Sequence, residues 1–357
     1  MVLLAILGGG CVGPVDENAP DYSEFESVWQ YLKVYSIYQD RVPEDPFVFK
    51  TCDSLLRSVA DTLNGFNYTD YVAGSASIVT SETSLHLIPR VSPGEDKPVS
   101  FGRTAGLELR KTVFFDSLTD STACIRIKHF TQGEIDYDSA GKLVRYDYTS
   151  ETFLEILSEV APFPNIIIDL RANGGGAIDE ATNIIDAFLP FGTSYILARE
   201  REYQMDTRTA RTLEWHAWKT VETARFELRE KKVVILMDGN SASASEIVIA
   251  ALKDGPTGAT LVGTRSYGKG IGQIRLQRRD RPMLQITFLQ LKGISERTGA
   301  YHHIGIEPDI FASGLSDQWL LTAVQVHEPG VTRLPSLRKQ SHRAAFAPAG
   351  YRIVYEE

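Results

Sequence analysis

One segment constrains this 357-residue chain more than any other: an apolar run, a string of small polar residues, and a second apolar run. Val233-Val-Ile-Leu-Met237 reads as a buried strand, and Ile247 to Leu252 reads as a buried helix that stops at Asp254-Gly255-Pro256. Between them lies Gly239-Asn-Ser-Ala-Ser-Ala-Ser-Glu246, which places Ser243 at the N-terminus of the helix. Free backbone N–H groups and the positive end of the helix dipole favour an anion that forms beside a hydroxyl there. A serine alcohol still needs a base. Lys269 follows 26 residues later between Gly268 and Gly270, and a lysine made neutral by burial can take that proton.

Each piece has a plainer reading. Ser243-Ala-Ser-Glu246 spells a capping box, and Gly-Lys-Gly by itself spells a turn with a solvated lysine. The joint order decides: strand, serine run, helix, the Thr260 to Gly263 strand, Gly-Lys-Gly and a further strand are not what unrelated caps and turns supply.

Further motifs stand in the same order. They are Ile125-Arg-Ile-Lys-His-Phe130, Ile167-Ile-Asp-Leu-Arg-Ala-Asn-Gly-Gly-Gly176, Ser241 to Glu246, Tyr267-Gly-Lys-Gly-Ile-Gly-Gln273 and Gly305-Ile-Glu-Pro-Asp309. On these the chain resembles the C-terminal processing (tail-specific) serine proteases of the S41 family over roughly residues 120 to 312. The resemblance implies a crotonase-like layered α/β catalytic core. It also implies Ser243 as nucleophile, Lys269 as general base and Gln273 as the residue that orients the lysine, in a serine endopeptidase acting on a polypeptide substrate.

The glycine run suits the same chemistry. Asn165 to Leu170 reads as a buried strand, and Gly174-Gly-Gly176 leads into a helix from Ile178 to Leu189. Glycines let a turn aim its N–H groups at a tetrahedral oxyanion. By resemblance, one oxyanion donor is the N–H of Gly175 or Gly176, and the other is that of Ala244. Asp169, Arg171 and Asn173 are expected to brace the turn.

Other chemistries compete with this one. Seven histidines (86, 129, 216, 302, 303, 327 and 342) keep a Ser-His peptidase in play, with His302 and His303 able to line the cleft. His129 is expected in a core strand. Three scattered cysteines (11, 52 and 124) and the lack of His-Glu-x-x-His point away from a metal site. Gly8-x-Gly10-x-x-Gly13 matches a dinucleotide fingerprint on paper, but Pro14 to Pro20 cannot open the helix such a site requires. No cofactor is expected. A net charge of −9 argues against nucleic acid and against an acyl-CoA enzyme of the same fold. The remaining alternative is a non-catalytic protein of that fold that carries an apolar ligand. Retention of Ser243, Lys269 and Gln273 together favours the enzyme.

The organisation follows from punctuation. Residues 1–20 read as a leader in which Leu7-Gly-Gly-Gly-Cys11 is similar to a lipoprotein cleavage box, which implies a lipid anchor at Cys11 and an extracytoplasmic, cell-envelope location. Residues 21–65 form a helical region, with one helix opened by Ser23-Glu-Phe-Glu26 and ending near Arg41, and a second from about Phe47 to Leu63. Residues 66–118 hold short strand-like pieces; the resemblance implies a peptide-binding PDZ module here, and the segment leaves room for a reduced one or none. The core spans 119–330 and alternates strand and helix, including a single helix over 150–160 and a hairpin of 275–279 with 284–292. The basic 331–357 tail has no assignment.

Overall fold

A computed structural model describes residues 23–45, 85–88, 107–133, 135–137, 143–204, 209–276, 283–334 and 351–355, with the isolated positions 48 and 55. Its centre is a six-stranded sheet in the order Ile310–Phe311, Thr260–Gly263, Lys232–Met237, Asn165–Asp169, Thr122–Ile127 and Val113–Ser117. The first five strands run parallel, and Val113–Ser117 pairs antiparallel at the edge.

The middle strands are apolar on both faces because both faces are covered. Side chains alternate along a strand, so Ile166 and Ile168 enter one core while Ile167 enters another; Val233, Ile235 and Met237 likewise oppose Val234 and Leu236. The first core lies against the helices Ile178–Phe188 and Ala244–Asp254, and the second against the helix Ser316–Gln325 through Leu320, Ala323 and Val324. A second sheet closes the far side of the first core. In it Met283–Lys292 pairs with Ile271–Leu276, Ser194–Gln204 and Leu85–Ile88, and it contributes Ile196, Ala198, Leu289 and Leu291 to that core. The result is the layered α/β core expected.

Several boundaries move for tertiary reasons. The first helix is Ser23–Tyr35 and does not reach Arg41, because Ile37 N–H leaves it to donate to Thr287 O at 2.9 Å. The expected helix over 150–160 is two pieces, Thr149–Glu155 and Leu157–Val160, hinged at Ile156 while Phe153, Leu157 and Val160 keep one buried stripe. Ser194–Gln204 runs to 11 residues because its second half pairs with Thr209–Thr212. The hairpin opens earlier, at Ile271, directly after the glycine-flanked lysine. In the tail, Tyr351–Tyr355 is a strand parallel to Leu107–Lys111 in a small four-stranded sheet. The leader with Cys11, the glycine-rich fingerprint, most of the second N-terminal helix and Cys52 lie outside the described residues.

Candidate active site

Three neighbouring parallel strands deliver the three motifs to one edge of the central sheet. Asn165–Asp169 ends in the glycine turn, Lys232–Met237 in the serine run, and Thr260–Gly263 in the segment that reaches Lys269. The serine strand lies between the other two. Ligand sites in open α/β sheets form at this carboxyl edge.

The serine run divides by burial. Ser241 and Ser245 are fully buried, and their hydroxyls donate to Leu170 O at 2.8 Å and Asn173 O at 2.9 Å. Ser243 is half-buried and adopts φ 57°, ψ −117°, a positive-φ conformation outside the left-handed helical region that a non-glycine residue holds only under constraint. Its N–H donates to Glu246 Oε2 at 3.0 Å, while its hydroxyl makes no capping hydrogen bond. The serine at the helix start therefore does not act as an ordinary side-chain cap.

Gly175 seats the glycine turn against this elbow. It holds φ 100°, and a Cβ there would meet Ala242 O at 2.7 Å, Ser243 Cβ at 2.8 Å and Ala244 N at 3.0 Å. Asn173 stitches the two segments together. Its carbonyl accepts from Ala242 N at 3.0 Å, its Nδ2 donates to Ile127 O at 2.9 Å, and its Oδ1 accepts from Gly175 N at 2.9 Å. The Gly175 amide is thus engaged within the turn. Asp169, 1% exposed, is gripped through both oxygens by Arg171 and through one by Arg126. These residues brace the turn.

Glu246 joins the elbow to the lysine. Its fully buried carboxylate accepts four hydrogen bonds: from Ser266 Oγ and Gly268 N, both at 2.6 Å on Oε1, and from Lys269 N at 2.7 Å and Ser243 N at 3.0 Å on Oε2. The Ser243 and Lys269 amides end on the same oxygen, which keeps the two nitrogens within about 6 Å of each other. Burial pushes this carboxyl up, against the opposing pull of the four donors. Sequence reasoning saw Glu246 only as half of a capping box; its partners 20 to 23 residues away left no local signal.

The lysine loop is closely packed. A Cβ at Gly268 would meet Gly305 N at 2.8 Å, and one at Gly270 would meet Leu291 O at 2.8 Å, so both flanking glycines are required by contact. Gln273 lies on the adjoining strand, and its Nε2 donates to Thr287 Oγ1 at 3.3 Å. His302 Nδ1 accepts from Gly270 N at 3.2 Å. His129 is half-buried with its ring 5.4 Å from that of Tyr146, and His216 pairs with Glu200. Asp309 clips the end of the serine helix to its neighbouring strand by accepting from Lys253 Nζ at 2.8 Å and Leu261 N at 2.7 Å. Burial would raise the Asp309 carboxyl, but these donors and Arg297 outweigh it and hold it below the usual range. Among the described residues no group of three potential metal ligands occurs.

Fold and site together define an α/β protein with a serine-centred candidate active site at the carboxyl edge of a parallel sheet. Residues 121–312 match the profile of peptidase family S41, and the chain belongs to that family. It is similar to the carboxy-terminal-processing protease of Bartonella bacilliformis, at 30% identity over 202 residues, 52% of this chain and 40% of that one. A Staphylococcus haemolyticus protein named "Probable CtpA-like serine protease" is 32% identical over 145 residues, 41% of this chain and 26% of that one. The chain thus matches less than half the length of either relative. A lipoprotein structure from Streptococcus agalactiae shares the fold at TM-score 0.50 and 12% identity, covering 91% of this chain and all of that one.

Proposed function

We propose that the chain is a serine endopeptidase working through a Ser243–Lys269 dyad on unfolded or C-terminal polypeptide segments. Lys269, in its neutral form, removes the Ser243 proton; the alkoxide attacks a peptide carbonyl; and the lysine returns the proton to the leaving amine. Gln273 orients the amine through its carbonyl oxygen. The Ala244 N–H, at the first turn of the helix, holds the oxyanion with a glycine-turn N–H. Gly175 N–H is engaged by Asn173, which favours Gly176 over Gly175 as the donor from that turn. The supporting observation is the single Glu246 carboxylate that binds the main chain of both Ser243 and Lys269, so nucleophile and base segments are set relative to each other by one rigid group.

Incubation with an unfolded protein, followed by mass spectrometry of the products, tests this reading. Wild type should cleave, Ser243→Ala should not, and Ser245→Ala should retain cleavage. Lys269→Arg should be inactive, because arginine keeps its proton. A Lys269→Arg variant as active as wild type would rule out the dyad.

We further propose an extracytoplasmic location with a lipid anchor at Cys11, on the strength of Leu7-Gly-Gly-Gly-Cys11. Among the described residues no helix is long and apolar enough to cross a membrane. The intact mass of the mature protein should show loss of Met1 to Gly10 and an acylated cysteine; retention of those residues would refute it.

A further inference from the structure

Gly268-Lys269-Gly270 is gripped from two sides. From the serine helix, Glu246 takes the N–H groups of Gly268 and Lys269. On the other side stands the loop Tyr301-His302-His303-Ile304-Gly305. Its His303 N–H donates to Gly268 O at 2.7 Å, and its His302 Nδ1 accepts the Gly270 N–H at 3.2 Å. Leu291 N–H completes the grip by donating to Gly270 O at 2.8 Å. Every main-chain N–H of the triplet is thereby bonded.

Two of these contacts, His303 N–H and Leu291 N–H, are main-chain donors that any residue except proline could supply. The side-chain acceptors are Glu246 and His302. The loop that carries His302 is itself firmly placed. Tyr301 is 2% exposed, and its ring lies 3.2 Å from the position of a Gly270 Cβ. His303 holds φ 65°, and its ring lies tilted against that of His302 with centroids 3.7 Å apart. Because the Gly270 amide donates, His302 Nδ1 acts as the acceptor in this arrangement. A ring nitrogen used this way orients a neighbouring main chain.

We propose that His302 is a positioning residue for Lys269: through Nδ1 it fixes the Gly270 peptide and hence the direction in which the lysine side chain leaves its loop. The proposal rests on the reading of Lys269 as general base. A base displaced by a fraction of an ångström lowers turnover while substrate binding elsewhere is unchanged.

His302→Leu and His302→Asn separate this role from the alternatives. Leucine removes the acceptor, whereas the asparagine amide oxygen reaches about the place of Nδ1 and accepts the same N–H, yet cannot serve as a general base. The leucine variant should lose about tenfold in kcat with KM unchanged, and its Gly270 amide should exchange hydrogen faster than in wild type. The asparagine variant should recover kcat to within about twofold and restore the slow exchange. Both should unfold at the wild-type temperature to within a few degrees. Wild-type kcat and Gly270 exchange in the leucine variant would overturn the proposal. So would an asparagine variant as impaired as the leucine one, since His302 would then act by proton transfer or packing. If wild type itself cleaves nothing, the peptidase reading falls, and the exchange measurement still decides whether His302 holds the loop.

Discussion

At the scale of single residues, Glu246 carries the most structure per atom. Four donors converge on one buried carboxylate, and three of them are main-chain N–H groups that cannot reverse their polarity. Glu246→Gln replaces one acceptor oxygen with an amide that faces donors. It should cost about 3 kcal/mol in denaturant unfolding, and hydrolysis should fall about a hundredfold because elbow and lysine loop lose their common anchor. The pH response should split. Since burial raises this carboxyl, the folded chain takes up its proton at higher pH than the unfolded chain does. Its protonation therefore favours the folded state below the unfolded value, and that increment is lost as pH rises through the folded value. Activity runs the other way, because a protonated acid cannot serve all four donors. Hydrolysis should decline on the acid side above the range of an ordinary glutamate. An acid limb in the ordinary glutamate range would count against this assignment.

Among the elements, the decisive contact is between the glycine turn after Asn165–Asp169 and the start of the helix Ala244–Asp254. The two approach so closely at Gly175 that a methyl group would fall within 3.0 Å of three atoms of the elbow, in a backbone conformation alanine disfavours. Gly175→Ala should therefore push the turn away from Ser243 and abolish hydrolysis, at a stability cost of about 2 kcal/mol. Gly174 offers an internal control, since a Cβ there meets nothing within 4 Å and its φ is not in the left-handed region. Gly174→Ala should leave both properties near wild type; equal damage from the two substitutions would mean the turn is sensitive for another reason.

Across the whole molecule, the tail belongs to a sheet that the central core does not share. Tyr351–Tyr355 pairs with Leu107–Lys111, which also pairs with Leu143–Tyr146, while the site rests on Asn165–Asp169, Lys232–Met237 and Thr260–Gly263. Removing residues 351–357 should speed amide exchange over 107–111 and leave exchange over 165–169 and 232–237 unchanged. Loss of protection in the central strands would show that the two sheets unfold as one unit.

The sequence by itself determined the local chemistry: a strand that becomes a helix at a serine, glycines around a lysine, and alternating apolar strands and helices that require covered sheet faces. These are properties of neighbours in the chain, written in periodicity and in residues with special backbone freedom. The order of the central strands is not such a property, and only the tertiary structure decided it. That order places the serine strand between the glycine-turn strand and the lysine strand, leaves Ser243 half-exposed while burying Ser241 and Ser245, and turns a capping glutamate into a four-donor hub. The tertiary structure also brought His302 onto Gly270 and gave the unassigned tail a strand partner more than 200 residues away. Hydrogen bonds of this kind depend on which segments the packed layers bring together, and neither residue of such a pair carries in its own surroundings the information that names the other.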